Sequence, residues 1–371
     1  MKILCWNCRG IGNPATVREL KQLLIANDLE VIFLCDTKVQ SNKFPYIRSK
    51  CRMEGCLAVN ACGKSGGLVM MWKAGTKVEI KSYSGNHIDS FIHDENDKPI
   101  RFTGFYGNAD PNNRKSSWDI LKRVGRLVKE RWIIGGDFNA ILDNSKKEGG
   151  RRKPQTLMND FREVIDELSL VDLKTDNGWF TWVNNREGTA MVKERLDRFL
   201  ISASDVESSP LIETKVIRQS NSDHDAIVLD TMGRKPREKQ RDPRLMFRYD
   251  MCWAKEAEAK NIIKNAWKMY TGDIMDKLEK VGHDLGAWQL KKYKMMSRQI
   301  DMIKSNISRI IDRPGERCDG NELKAMRLKL GKLLDKEEQY WAQRSRVNWL
   351  KEGDRNSRFF HVRATSKKKK E

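Results

Sequence analysis

The sequence predicts an α/β fold of packed sheets covered by helices over roughly its first 230 residues, followed by a helical extension. Three observations predict it. Short continuous apolar runs, such as VIFL (31–34) and WIIGG (132–136), read as strands buried on both faces. Between such runs lie amphipathic segments with apolar residues at helical spacing. After Met232 the strand signals vanish. Hairpin-like strand runs with intervening helices argue for sheets packed beneath helices.

In chain order, residues 2–7 read as a strand, and 16–27 as a helix with Val17, Leu20, Leu23 and Leu24 at helical spacing. Residues 31–34 form a buried strand, and 67–72 with 78–83 read as a strand pair. Residues 100–106 and 132–136 are strands on either side of a helix at 117–130. A further helix covers 155–168, and 180–183, 194–201 and 227–229 are short strands. GRKPREKQRDPR (233–244) is polar, basic and Pro-containing, as a linker would be. Residues 256–311 are helical in period, DRPGERCDGN (312–321) is a turn, and 322–351 is helical again: a long helical hairpin or a pair of helices. The expected divisions are a domain at 1–231, a linker at 232–252, a basic helical region at 253–364 and a disordered Lys tail at 365–371.

With 371 residues, 39% of them hydrophobic, and 11 Trp, the chain is long and apolar enough to fold with a sizeable core. No apolar run approaches the roughly 18–20 residues of a membrane span, and MKILCWNCRG lacks a signal-peptide core. The expectation is an intracellular protein, nuclear or cytoplasmic, without a membrane partner. Of the net charge of +20, residues through Asp230 carry 35 basic against 31 acidic groups, or +4; the remainder carries 36 against 20, or +16. A basic excess confined to one part points to a polyanion, nucleic acid before membrane. Trp253, Trp267, Trp288, Trp341 and Trp349 sit among those cations. They read mainly as packing residues, leaving a basic face for nonspecific nucleic-acid contact. Cys5 and Cys8 have CxxC spacing but lie within a strand, and Cys51, Cys56 and Cys62 lack a fourth ligand at matching spacing. Reduced structural thiols are the reading for all eight cysteines, Cys252 and Cys318 included.

Four short constellations close predicted strands: WNCRG (6–10), LCDTK (34–38), GGDFN (135–139) and SDHDA (222–226), with RLD (195–197) upstream. Strand ends let side chains converge on a crevice while a sheet holds them rigid. Hydrolysis of a phosphodiester needs a hard cation on the phosphoryl oxygens, a group to activate water, and polar groups to hold the phosphate. Asp36, Asp137, Asp197 and Asp223 supply carboxylates, Asn7 and Asn139 amides, and His224 a group that titrates near neutrality. Taken singly, each has a plainer reading. An Asp after a strand is ordinarily a turn or cap. Ser222-Asp223-His224 fits a helix N-cap or a turn, and GGDFN a tight turn whose glycines permit positive φ. The ordered set is what favours chemistry.

WNCRG, TK after the second strand, GGLVMMW, GFYG, GGDFN, FTW, RLDRFL and SDH together resemble the apurinic/apyrimidinic-endonuclease-like domain of plant non-LTR retrotransposons, in the deoxyribonuclease-I-like superfamily. The resemblance covers residues 1–231 and rests on eight blocks in order. YWAQRSRVNWLKEGDRNSRFFHVRA (340–364) is similar to the segment preceding reverse transcriptase in such elements, so the chain reads as the truncated front of a polyprotein. The resemblance implies a four-layer α/β/β/α sandwich and a Mg²⁺-dependent endonuclease, Mn²⁺ being the alternative ion, with no small-molecule cofactor. Its partner would be DNA, with the element's RNA at the basic C-terminal region. By the same resemblance Asn7, Asp36 and Asp223 hold the metal, Tyr106 contacts the scissile phosphate, and Asp137 activates or aligns water. Asn139 orients Asp137, His224 binds the phosphate, and Asp197 sets the tautomer of His224. Thr181, Arg9 and Ser222 face nucleic acid.

Asp36 departs from the family, which usually has Glu there. It is one methylene shorter, a shortfall of about 1–1.5 Å, and Mg²⁺ tolerates misplaced ligands poorly. Three functions therefore compete: an endonuclease that nicks DNA, a catalytically weak or inactive nucleic-acid-binding remnant, and a phosphatase acting on a small substrate. The basic C-terminal region and the retrotransposon-like blocks argue against the third.

Overall fold

The unbroken apolar runs become the central strands of two facing sheets. The structure, a computed structural model, describes residues 1–63, 65–93, 99–186, 190–207, 209–233, 253, 256–269, 273–312 and 320–345. The first sheet runs in the order β14 (Glu213–Ile217), β15 (Ala226–Asp230), β1 (Lys2–Asn7), β2 (Val31–Cys35), β4 (Ser65–Trp72), β3 (Gly55–Cys62). The second runs β10 (Leu170–Asp172), β13 (Asp197–Ser202), β8 (Trp132–Asp137), β7 (Ile100–Tyr106), β6 (His87–His93), β5 (Lys77–Tyr83). A small third sheet joins β11 (Trp182–Val183), β12 (Lys193–Glu194) and β9 (Lys147–Glu148).

Each large sheet has one parallel pair at its centre, β1 with β2 and β7 with β8, and antiparallel neighbours. A parallel pair needs a crossover; α1 (Pro14–Asn27) supplies it in the first sheet and α3 (Arg114–Gly125) in the second. Along β1, Ile3 and Cys5 enter the core between the sheets, beside Val31, Phe33, Met70, Phe102, Ile133 and Phe199. Leu4 and Trp6 point the other way, onto Leu20, Leu24 and Ile47 of α1 and α2 (Phe44–Cys51). The period of two, covered on both sides, is why residues 3–6 of the strand are apolar without a break. On the far side α3 and α4 (Gln155–Glu167) close the second sheet, Trp118 stacking on Phe161 at 4.8 Å and both joining Phe105 and Ile134. A short α5 (Ala203–Val206) follows β13. The result is the four-layer α/β/β/α sandwich of the deoxyribonuclease-I type.

One expected pairing is overturned. Residues 67–72 and 78–83 lie in different sheets, as β4 and β5; β4 pairs with β2 and β3, and β5 with β6. The true partners carry weak strand signals. β6 reads HIDSFIH because it buries Asp89, and that charge is matched by the buried Arg101 guanidinium and by the Thr103 hydroxyl at 2.8 Å. β3 is a half-exposed edge without clear alternation.

Beyond the sandwich, residues 256–311 divide into α6 (Ala257–Met269) and α7 (Ile274–Asp312), followed by α8 (Gly320–Ser345). The chain forms two units, one of Met1–Pro236 with Asn306–Leu328, the other of Arg237–Ser305 with Lys329–Glu371. Within the second, Trp253 is buried edge-on against Trp288 at 5.5 Å, and Tyr293 stacks on Tyr340 at 5.1 Å. These tryptophans pack, as expected; Trp267 is 44% exposed. Most of the expected linker, Cys252, Cys318, the side chain of Trp341, Trp349, residues 346–364 of the C-terminal block and the Lys tail lie outside the described residues. Among the described residues no helix is long and apolar enough to cross a membrane.

Candidate active site

The four constellations meet where β1, β2 and β8 end. Asp137, the last residue of β8, is fully buried, and three N–H donors hold its carboxylate. Oδ1 accepts from the Asn139 backbone at 2.8 Å; Oδ2 accepts from Asn7 Nδ2 at 2.8 Å and Asn139 Nδ2 at 3.2 Å. Asn139 also donates to the Gly107 carbonyl at 2.9 Å. A carboxylate fixed by so many donors is aimed rather than free to rotate.

His224 lies beside it. Its Nδ1 is 2.9 Å from Asp197 Oδ2, and its Nε2 is 3.4 Å from Asn7 Nδ2 and 3.9 Å from Asp137 Oδ2. Burial alone would push the imidazole pKa down. The carboxylates of Asp197 and Asp137 outweigh it and lift the value to about 9. Burial also raises the Asp197 carboxyl, to about 6, against the opposing pull of His224. Near neutrality the pair is therefore an imidazolium held by a carboxylate, with Nε2–H directed to the Asp137 side.

The second half of the site is built from Asp36, Asp223 and Arg9. Asp36 Oδ1 accepts the Gly66 N–H at 2.9 Å, and Oδ2 lies 3.3 Å from Lys38 Nζ and 3.7 Å from Arg9 Nη1. Asp223 Oδ2 accepts from Trp182 Nε1 at 2.9 Å; its Oδ1 is buried with no hydrogen bond and faces Arg9 Nε at 3.1 Å. One guanidinium thus spans two carboxylates from different strand ends. Arg9, Asp36, Lys38 and Asn139 all have φ between 50° and 56°. Left-handed backbone costs a non-glycine residue on the order of 1–2 kcal/mol, and its concentration at these strand ends marks them as specially held.

Most of the residues singled out from the sequence converge here, but two point inward. Thr181 is fully buried, and its hydroxyl accepts from the backbone of Leu196 at 3.1 Å and Asp197 at 2.9 Å. It holds the start of β13 and has no face for nucleic acid. Ser222 is likewise buried; its hydroxyl donates to the Asn7 carbonyl at 2.9 Å and accepts the His224 N–H at 3.1 Å. Both are scaffold for Asp197 and His224, a role that short hydroxyl side chains fill readily. Arg9 is half-exposed at the mouth. Tyr106 registers with Asp137 across the parallel strands and packs against the inner core. Burial first, and then the nearby acidic groups, push its phenol well above the usual range, so it stays a protonated donor. Sequence reading assigned no role to Lys38, Gly66 or Trp182. Lys38 and Trp182 stand in the quoted TK and FTW blocks, but their partners lie across the fold.

The donor set fits a hard divalent cation. It is rich in carboxylate and amide oxygens and poor in sulfur, and Asp223 Oδ1 is a buried acceptor without a hydrogen bond. Asp137, Asp197 and His224 also offer ligand atoms within 4.8 Å of one another. Because Asp197 and His224 already satisfy each other, Asp36 and Asp223 with Asn7 are the better candidates.

These features fit the class to which the family match assigns the chain, hydrolases of the nuclease and phosphatase type. The chain belongs to the Endonuclease/Exonuclease/phosphatase family, whose pattern matches residues 4–218. Among solved structures it is similar to a 3'-5' exonuclease (NExo) from Neisseria meningitidis, at 16% identity and TM-score 0.51, over 62% of this chain and 99% of that one. It is also similar to a single-residue variant of the 3' phosphatase NExo from Neisseria bound to product DNA hairpin, at 15% identity and TM-score 0.50, over 62% and 98%. The endonuclease domain of TRAS1, a telomere-specific non-LTR retrotransposon, aligns at 18% identity and TM-score 0.46, over 62% and 97%. Comparison with curated proteins yields no match.

Proposed function

We propose that the chain is a Mg²⁺-dependent phosphodiesterase, with Mn²⁺ as an alternative ion, that nicks DNA as the endonuclease of a plant non-LTR retrotransposon. The observation that carries this reading is the single constellation formed by Asn7, Asp137, Asn139, Asp197 and His224, with Asp36, Arg9 and Asp223 beside it. The order of sequence blocks supports the retrotransposon origin, and the basic C-terminal region supports contact with DNA or the element's RNA. A nuclear or cytoplasmic setting follows from that role.

In this mechanism Asp36, Asp223 and Asn7 would hold the ion, which would supply charge neutralisation at the phosphoryl oxygens and a more acidic water. Asp137, fixed by Asn7 and Asn139, orients the attacking water and takes its proton as the new P–O bond forms; the P–O3′ bond breaks, and the departing 3′ oxygen keeps the electron pair and takes a proton from solvent. The imidazolium of His224 donates Nε2–H to a phosphoryl oxygen, and Asp197 keeps the proton on Nδ1. Tyr106 offers a phenolic donor from β7, and Arg9 at the mouth meets the DNA backbone.

A second reading, a nucleic-acid-binding protein with little catalysis, is favoured by Asp36: its oxygens are already engaged by Gly66, Lys38 and Arg9. Supercoiled-plasmid nicking with Mg²⁺ and with chelator, beside Asp137→Ala and His224→Ala, separates the two. The endonuclease reading expects metal-dependent nicking lost by about 10²-fold or more in both variants. An inert parent that still retards DNA in a gel would replace it with the second reading.

A further inference from the structure

Arg218 is buried just after β14, and four groups surround its guanidinium. Nη1 donates to the Phe180 carbonyl at 2.7 Å and to Asp225 Oδ2 at 2.8 Å; Nη2 donates to Asp312 Oδ2 at 2.5 Å; Nε donates to Ser308 Oγ at 3.3 Å. Asp225 is fully buried and directly follows His224. Asp312 and Ser308 belong to the end of α7, which lies in the same unit as the sandwich. The other Asp312 oxygen accepts the backbone N–H groups of Trp179 at 2.6 Å and Phe180 at 3.0 Å. From α8, Arg327 Nη2 approaches Asp225 Oδ1 at 3.9 Å, and Arg327 Nη1 donates to Asn185 Oδ1 at 2.9 Å.

These contacts bear on the site through two backbone links. Asp225 N donates to the Thr181 carbonyl at 2.8 Å, and Val183 N donates to the Asp223 carbonyl at 3.1 Å. Residues 179–183 therefore lie along 223–225, and Asp312 and Arg218 grip both. Glu19 of α1 also accepts from the backbone of Ser220 and, at 3.2 Å, of Asn221.

We propose that Asp312 is a positioning residue for the candidate active site: by completing the Asp312–Arg218–Asp225 network, the end of α7 fixes the segment that carries Asp223 and His224. Charge arithmetic supports it. Arg218 and Arg327 balance Asp225 and Asp312. Removing Asp312 alone leaves an excess buried cation and strips the acceptor from Trp179 N, Phe180 N and Arg218 Nη2. Breaking one side of a buried pair is costly because the remaining charge is uncompensated. The part of this inference that concerns turnover rests on the endonuclease reading; the part that concerns the segment does not.

The test is amide hydrogen exchange on the full chain, parent against Asp312→Ala and Asp312→Asn, with plasmid-nicking kcat and KM measured alongside. The expected result is exchange faster by tenfold or more at 179–183 and 218–226 in Asp312→Ala, a smaller rise in Asp312→Asn, which keeps one acceptor, and unchanged exchange in β1 and β8. The kcat falls about tenfold with KM unchanged, and Asp312→Glu recovers part of it. If Asp312→Ala unfolds outright, Asp312→Asn decides by the same criterion. Unchanged exchange in both segments overturns the proposal whether or not the parent nicks DNA. Exchange that responds in a parent without nicking sustains the positioning role and rejects only the endonuclease reading.

Discussion

His224 Nδ1 lies 2.9 Å from Asp197 Oδ2, with both side chains almost wholly buried. This pair is electrostatically live. The imidazole, pushed down by burial and lifted further by Asp197 and Asp137, holds its proton to about pH 9. Its folded pKa is thus above the unfolded value of about 6.5, so its stabilisation is complete below that value and is lost as pH rises toward 9. The raised Asp197 pKa works in the same direction between about 4 and 6, since the folded acid binds its proton more tightly. In chelator, the metal-free fold is expected to lose on the order of 2–3 kcal/mol between pH 6.5 and 9.5 from this pair. Asp197→Asn removes the largest support for the imidazolium while leaving its burial, so the slope should flatten. Urea unfolding across pH on the two proteins checks this; parallel slopes would refute it.

Arg9 spans Asp36 and Asp223, the carboxylates assigned to the ion. A cation 3.1 Å from one of them competes with a dication for the same charge. Because Arg9 is about half-exposed, its effect is that of a screened pair, roughly 1 kcal/mol. Arg9→Ala is expected to tighten Mn²⁺ binding about fivefold by calorimetry and to weaken DNA binding through loss of a phosphate contact. Weaker Mn²⁺ binding in the variant would show that Arg9 supports the site rather than competing for it.

The central strands were legible because burial on both faces leaves no room for polar residues, so VIFL and WIIGG announce themselves. β6 was not, because Asp89 is buried there and its compensating partner, Arg101, sits on another strand. The candidate site was legible as strand-ending blocks, and the pairing of Asp197 with His224 only through resemblance. Thr181 and Ser222 were misplaced because a sequence cannot say which way a hydroxyl points. The bridge from Asp312 to Arg218 spans 94 residues and crosses the expected domain boundary, and no periodicity or motif encodes such a contact.

GGDFN needs its second glycine for room. At Gly136, φ is 147°, and a Cβ there would lie 2.0 Å from the Phe105 carbonyl oxygen on the parallel neighbour β7. Backbone cannot yield as a flexible side chain does, so β7 and β8 would be forced apart beside Asp137. Gly136→Ala is expected to cost about 3 kcal/mol or more. Gly63→Ala, a positive-φ site with open space around the added carbon, should cost about 1 kcal/mol. Denaturant midpoints of the two variants measure the difference, and equal costs would disprove the close-approach argument.

Asp36→Glu tests whether one methylene limits the site. In the native side chain, Oδ1 is tied to the Gly66 N–H at 2.9 Å while Oδ2 faces Lys38 and Arg9. The longer acid reaches about 1–1.5 Å further and must release Gly66, which costs about 1 kcal/mol, the net worth of one hydrogen bond. In return it carries its charge out toward Asp223. The expected outcome is a lower melting temperature without metal, Mg²⁺ affinity raised about tenfold, and faster nicking at low Mg²⁺. If the variant is destabilised without any gain in Mg²⁺ affinity, the Gly66 contact is the native function of this carboxylate, and the ion must rest mainly on Asp223 and Asn7.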